Sequence, residues 1–233
     1  MSLLAKTDYF GIAGTGIEVQ STNENRSKQT AEAVGPNGFT VAIEAFGERI
    51  EPECEYLITQ PISSKSIVIG GVHTVDSKQI ALGNLTISTS AGSAPTMTAS
   101  GSQIEDGGTA KCKVTVSLPA MSSLFHAQDF GLFTVLSGQL NDSTLTIEGD
   151  VGTAEVDGVI KASDLTNGRM TVTGTIIGVS DAGAISTPSL SVATSGTFYK
   201  NGVITQPLSL TNPNGDFPSY SFTCQWALIE DGE

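Results

Sequence analysis

Histidine, cysteine, tryptophan and positive charge are all scarce: 233 residues contain two, three, one and eleven (Lys plus Arg). Each scarcity removes a class of chemistry. His73 and His126 each precede an aspartate by three positions, Asp76 and Asp129. One such unit suits a metal site or a Ser-His-Asp arrangement, but the chain has no Gly-x-Ser-x-Gly elbow to present the serine. Turn or cap roles are therefore expected for both. Cys54, Cys112 and Cys224 are odd in number, lie 58 and 112 residues apart, and form no CxxC pair. That spacing argues against a disulfide framework and against a zinc site. Each falls on the apolar side of an alternating segment, so buried free thiols are expected. Eleven basic against 24 acidic side chains give a net charge of −13, unevenly spread as −4 over residues 1–116 and −9 over 117–233. A phosphate-binding face needs clustered Lys and Arg, so neither sequence-specific nucleic acid nor anionic lipid is an expected partner. No run approaches 18 consecutive apolar residues, which argues against a membrane-spanning helix. The opening residues lack the continuous apolar middle of a secretory signal, and synthesis for the cytosol or for an assembly pathway inside the cell is expected.

What the chain does have is serine (26), threonine (27) and glycine (26). Asn37-Gly38, Asn167-Gly168, Asn201-Gly202, Asn214-Gly215, Asp106-Gly107 and Asp157-Gly158 tolerate positive φ and suit tight hairpins. Between them lie runs of period two. Phe39, Val41, Ile43 and Ala45 share one face, as do Cys54, Tyr56 and Ile58. Lys111–Leu118 reads as one strand with Cys112, Val114, Val116 and Leu118 inward, and Arg169–Val179 groups Met170, Val172 and Ile176 around Gly174, a candidate bulge or close approach. Residues 24–34 have helical propensity but pair better, through Asn37-Gly38, with Phe39–Ala45. Only Met121–Gln128 reads as a short helix. The pattern predicts an all-β protein, an antiparallel β-sandwich or barrel with at most one short helix, built as one or two β subdomains. The division expected is an N-terminal arm over 1–16, a glutamate-rich β subdomain over 17–92, a β-sandwich domain over 93–229 and an acidic tail over 230–233, with Ser88–Pro95 as the linker-like stretch.

Two carboxylate groups are locally dense, Glu51/Glu53/Glu55 and Asp150/Glu155/Asp157. Calcium binding would require three oxygens to converge, and the EF-hand spacing is absent; solvated strand and turn acids are the expectation, with no cofactor and no metal. Gly11-Ile-Ala-Gly-Thr-Gly16 lacks the glycine order and flanking elements of a dinucleotide loop.

Glu24-Asn-Arg-Ser-Lys-Gln-Thr-Ala-Glu-Ala33, the Gly-Pro-Asn-Gly turn at 35–38 and the Phe-Thr-Val-Ala-Ile run that follows resemble the start of small virion structural proteins of tailed bacteriophages and prophages. Ala94–Gly101, Glu105-Asp-Gly107 and Asp216–Phe222 share that character. The resemblance implies a non-enzymatic subunit of the tail or head-tail region, similar to tail-tube and connector-region subunits. It implies assembly as a homo-oligomer with other virion proteins, location in the virion and synthesis in the host cytoplasm. Residues Leu3, Leu4, Tyr9, Phe10 and Ile12 are then expected to form an assembly arm, mobile in the isolated subunit and ordered on a neighbour. The alternative is a carbohydrate- or protein-binding β-sandwich of adhesin type, which needs an exposed aromatic groove. Against that, Tyr220, Phe222, Cys224, Trp226 and Leu228 alternate with Ser221, Thr223 and Gln225, which predicts a core strand with Trp226 inside.

Overall fold

The computed structural model describes residues 6–62, 65–104, 109–111, 114–118, 121, 124–136, 138–157, 159–178, 190–192, 201–211 and 217–228. The fold is all-β. One large sheet takes β1 (Ile17–Val34), β2 (Thr40–Ile58), β6 (Thr96–Ile104), β5 (Lys78–Ser90), β10 (Gln139–Val156), β11 (Val159–Ile177), β14 (Ser219–Ala227) and β13 (Val203–Thr211), in that spatial order. Every neighbouring pair along this path is antiparallel. β4 (Val72–Val75) adds to β5, and β7 (Thr109–Lys111) adds parallel to β11. Two small ribbons complete the set, β3 (Lys65–Ile69) with β8 (Val114–Leu118) and β9 (Phe133–Leu136) with β12 (Leu190–Val192). The large sheet stays open, with β1 and β13 at its edges, in a sandwich-like arrangement rather than a closed barrel.

Registers explain the core directly. Tyr56, Met97, Ile87, Leu145, Val172 and Cys224 form one transverse row, and Cys54, Ala99, Leu85, Ile147, Met170 and Trp226 form the next. None of these twelve is more than 2% exposed. Because successive side chains of a strand point to opposite faces, one register fixes both rows. Over this face lies β3, packed on β5 and β10. At the other side Phe133 of β9 meets Phe222 and Trp226 edge-on, at centroid distances of 5.5 and 6.1 Å. Gly174 is a close-approach point: a Cβ there would stand 2.6 Å from the Asp142 carbonyl oxygen and 2.9 Å from the Phe222 ring. The β10–β11 register shifts beside it, between Leu140 and Asp142.

Several local expectations are corrected. Met121–Gln128 is not helical among its described residues; Met121 bridges to Ile62, and 124–126 only bend. The 111–118 segment is not one strand. Lys111 ends β7 in the large sheet, whereas Val114 begins β8 in the small ribbon, because each half finds a different partner. Asn167-Gly168 is not a hairpin turn but a bulge inside β11, with Asn167 at φ 51° and the register slipping between Glu148 and Asp150. Asn37-Gly38 does turn β1 into β2: Gly38 sits at φ 80°, and its N–H donates to the Gly35 carbonyl at 2.9 Å. The Ser88–Pro95 stretch is the end of β5 and its hairpin into β6, in which Ser88 pairs with Thr96. The large sheet runs unbroken across it.

Candidate functional site

The N-terminal segment is tied to the core by one carboxylate. Asp8 Oδ1 accepts N–H groups from Phe10 at 3.2 Å and Ile12 at 3.3 Å and the Tyr56 hydroxyl at 2.7 Å; Oδ2 accepts the Ala13 N–H at 2.8 Å. Burial opposes the charge, but these hydrogen bonds, Tyr56 first, outweigh it and hold Asp8 below the ordinary carboxyl value. The turn so formed buries Tyr9, Phe10 and Ile12 in the chain's own core. These three residues do not project as a detached arm, because their apolar side chains complete the cover of the sheet; Leu3 and Leu4 lie outside the described residues. Tyr9 donates its hydroxyl to Glu24, and burial together with Glu24 pushes its pKa up to about 12. Beside the segment is a cavity of about 380 Å³ lined by Phe10, Ile12, Lys65, Ile67, His73 and Thr115. Lys65 donates its Nζ to the Ile12 carbonyl. Burial lowers the pKa values of Lys65 and His73, in each case against the pull of Asp8.

The opposite face of the large sheet is polar. Glu55, Thr98, Thr86, Thr146, Thr171 and Gln225 form one row across it; Glu53, Ser100, Asn84, Glu148 and Arg169 belong to the next. Hydroxyls link neighbours, with Thr86 and Thr146 at 3.4 Å and Ser88 and Thr144 at 3.3 Å. Across β1, β2, β6, β5 and β10 lies a concavity of about 610 Å³, lined by Asn23, Asn25, Glu51, Glu53, Asn84 and Glu148 among others.

The residues singled out in the sequence are mostly kept apart. His73 lies beside Gly11, while Asp76 turns β4 into β5 at φ 49°. His126 is exposed, its carbonyl accepting Gln128 Nε2 at 2.9 Å, and Asp129 accepts the Gly131 N–H at 2.9 Å. Asp150 accepts Asn167 Nδ2 at 2.9 Å, Glu155 meets Arg49 at 3.9 Å, and Asp157 occupies the β10–β11 turn at φ 52°. Glu51 pairs with Arg49 at 3.1 Å, and Ser21 donates to Glu55 at 3.0 Å. Among the described residues no three His, Cys, Asp or Glu side chains converge as metal ligands. Cys54 and Cys224 are fully buried thiols; burial raises both pKa values, Cys224 to about 11. Cys112 lies outside the described residues. β14 buries Tyr220, Phe222, Cys224 and Trp226 and leaves Ser221 exposed; Leu228, just past the strand, is half-buried against the core.

Sequence reasoning missed the two long ribbons that run past the core. β1 and β2 continue as a bare two-stranded hairpin, and residues 29–45 are exposed except for half-buried Gly35. The β10–β11 hairpin also runs past the two core rows and leaves 150–157 exposed, but its β11 arm is covered, pairing with β7 at Ala162–Asp164 and burying Ile160, Ser163 and Leu165. Both project from the same end of the sheet, and Gln29 Nε2 donates to Glu155 at 3.4 Å between them. The available signal was length: strands of 18 and 19 residues far exceed the usual five or six. The chain matches no protein-family model. No curated protein matches it in sequence.

Proposed function

We propose that this chain is a non-enzymatic structural subunit of a phage or prophage particle, in the tail or head-tail region, that acts by self-association and docking. The observation carrying this reading is the projecting β1–β2 ribbon. Val34, Phe39, Val41 and Ile43 are 62–71% exposed on it, with no layer among the described residues to cover them. A lone two-stranded ribbon is marginal in water, so such an element is best understood as one completed by a neighbour. A net charge of −13 also keeps such a subunit from adhering to packaged nucleic acid. Sedimentation of the full chain over a wide concentration range, followed by negative-stain microscopy, tests the reading. An assembly of fixed stoichiometry supports it; a monomer at every concentration overturns it.

One observation favours a second reading, a carbohydrate-binding module: the concavity lined by Asn23, Asn25, Asn84 and Glu53 offers hydrogen-bonding groups to a polyol. Trp226, the one tryptophan, is 1% exposed and supplies no stacking platform there. Binding to a glycan array that is lost on Asn84→Ala would place this reading first.

A further inference from the structure

Exposed large hydrophobic side chains are not scattered over this molecule. Of the twelve among the described residues, eight fall in two places: Val34, Phe39, Val41 and Ile43 on the β1–β2 ribbon, and Val203, Ile204, Leu210 and Phe217 on β13 and the approach to β14. β1 and β13 are the two opposite edges of one sheet. The registers carry the geometry further. The ribbon extends beyond Cys54, which shares a row with Trp226, whereas Thr211 pairs with Ser219 at the other end of β14. The ribbon tip and the Leu210/Phe217 end therefore occupy diagonally opposite corners of the sheet.

Charge is sparse at both places, the nearest charged residues being Glu32 opposite Ile43 and Glu44 beside it on the ribbon, and Asp216 just before Phe217. Residues 33–43 and 201–215 contain no Asp, Glu, Lys or Arg, so the like charges of two copies of a chain at −13 are confined to the borders of the contact, where salt screens them. Direct edge-to-edge ladder formation is disfavoured on both sides. The β13 register shifts twice, at Ile204/Gln206 and Gln206/Ser209, around Pro207, which has no N–H to donate. β1 carries Glu18, Glu24, Arg26, Lys28 and Glu32 along its edge. Contact through side chains remains open. The four ribbon side chains offer on the order of 400 Å² of apolar surface, enough to mark an interaction patch. That is about half of one partner's share of a standard interface, so polar flanks must complete it.

We infer that the β1–β2 ribbon tip of one copy docks by its apolar side chains on the β13 edge and Phe217 of a second copy, in a head-to-tail contact. This rests on the self-association reading above. Two unlike patches on one chain make a heterologous interface, which propagates into a closed ring or an open filament instead of stopping at a dimer.

The test uses the full chain and two double variants, Phe39→Asp/Val41→Asp at the tip and Leu210→Asp/Phe217→Asp at the edge. All four positions are at least half exposed, and thermal melts by circular dichroism confirm folding; the serine versions replace any aspartate variant that melts early. Sedimentation velocity is then run on each protein alone and on an equimolar mixture. Each variant alone is expected to lose assembly, with association weakened tenfold or more. The mixture is expected to form a 1:1 dimer and nothing larger, because it holds one intact tip and one intact edge. Assembly of either variant at the parental level overturns the inference while leaving the subunit reading intact. Failure of the mixture to dimerise overturns the head-to-tail arrangement in the same way. A parent chain that stays monomeric overturns the self-association reading itself.

Discussion

The body of the large sheet and the β1–β2 ribbon are written in the same alternating code. Phe39, Val41, Ile43 and Ala45 repeat every second residue just as Cys54, Tyr56 and Ile58 do fifteen positions later on the same strand. The second set is fully buried, and Phe39, Val41 and Ile43 are about two-thirds exposed. Period two fixes which side chains share a face; it does not decide whether anything covers that face. In the body β3, β9 and the Asp8 turn supply the cover. On the ribbon no part of the described chain does.

The comparison breaks most visibly at Trp226. Trp226→Ala removes a fully buried indole from the row shared with Met170 and is expected to cost about 3–5 kcal/mol by cavity formation. Urea denaturation measures it. Loss of glycan or partner binding with unchanged stability would instead make this face a site. Asp8→Asn comes next. The amide nitrogen would face the Ala13 N–H, donor against donor, and the loss of charge-assisted hydrogen bonds is expected to cost about 1.5–3 kcal/mol at neutral pH. The same variant has a pH signature. A carboxyl whose folded pKa lies below the unfolded value of 3.8 contributes stability that is complete above that value and is lost as pH falls through the folded pKa. The parent should therefore lose stability below about pH 4 with a component that Asp8→Asn lacks. His73, also lowered by burial, adds an earlier loss starting near pH 6.5 in both proteins, and denaturation midpoints across pH 3–8 separate the two steps.

A smaller effect is expected on the polar face. Thr146→Ala removes one hydroxyl contact at 3.4 Å and should change stability by well under 1 kcal/mol. Smallest of all is Phe39→Ser, which leaves the monomer's unfolding midpoint unchanged because the ring touches no core row. Any measurable destabilisation of a dilute, monomeric sample by Phe39→Ser would mean that the ribbon folds back on its own body.

Much of the body was legible from residues alone. β14 alternates so cleanly that one register accounts for Tyr220, Phe222, Cys224 and Trp226, and Asn37-Gly38 announces the β1–β2 turn through the conformations those residues tolerate. The all-β class follows from the same local rules. Other features depended on partners distant in sequence. Asn167-Gly168 has the chemistry of a hairpin turn and became a bulge because β10 continues opposite it. Lys111–Leu118 alternates as one strand and is divided because two sheets compete for its halves. Tyr9, Phe10 and Ile12 read as an arm, since nothing local shows that Tyr56, 48 residues away, donates to the carboxylate that folds them inward. Alternation, turn chemistry and charge act over a few residues, so the sequence by itself determined strands, their faces and several turns. Which faces became core and which ribbons were left bare was decided by packing between distant segments, and only the tertiary structure holds that choice.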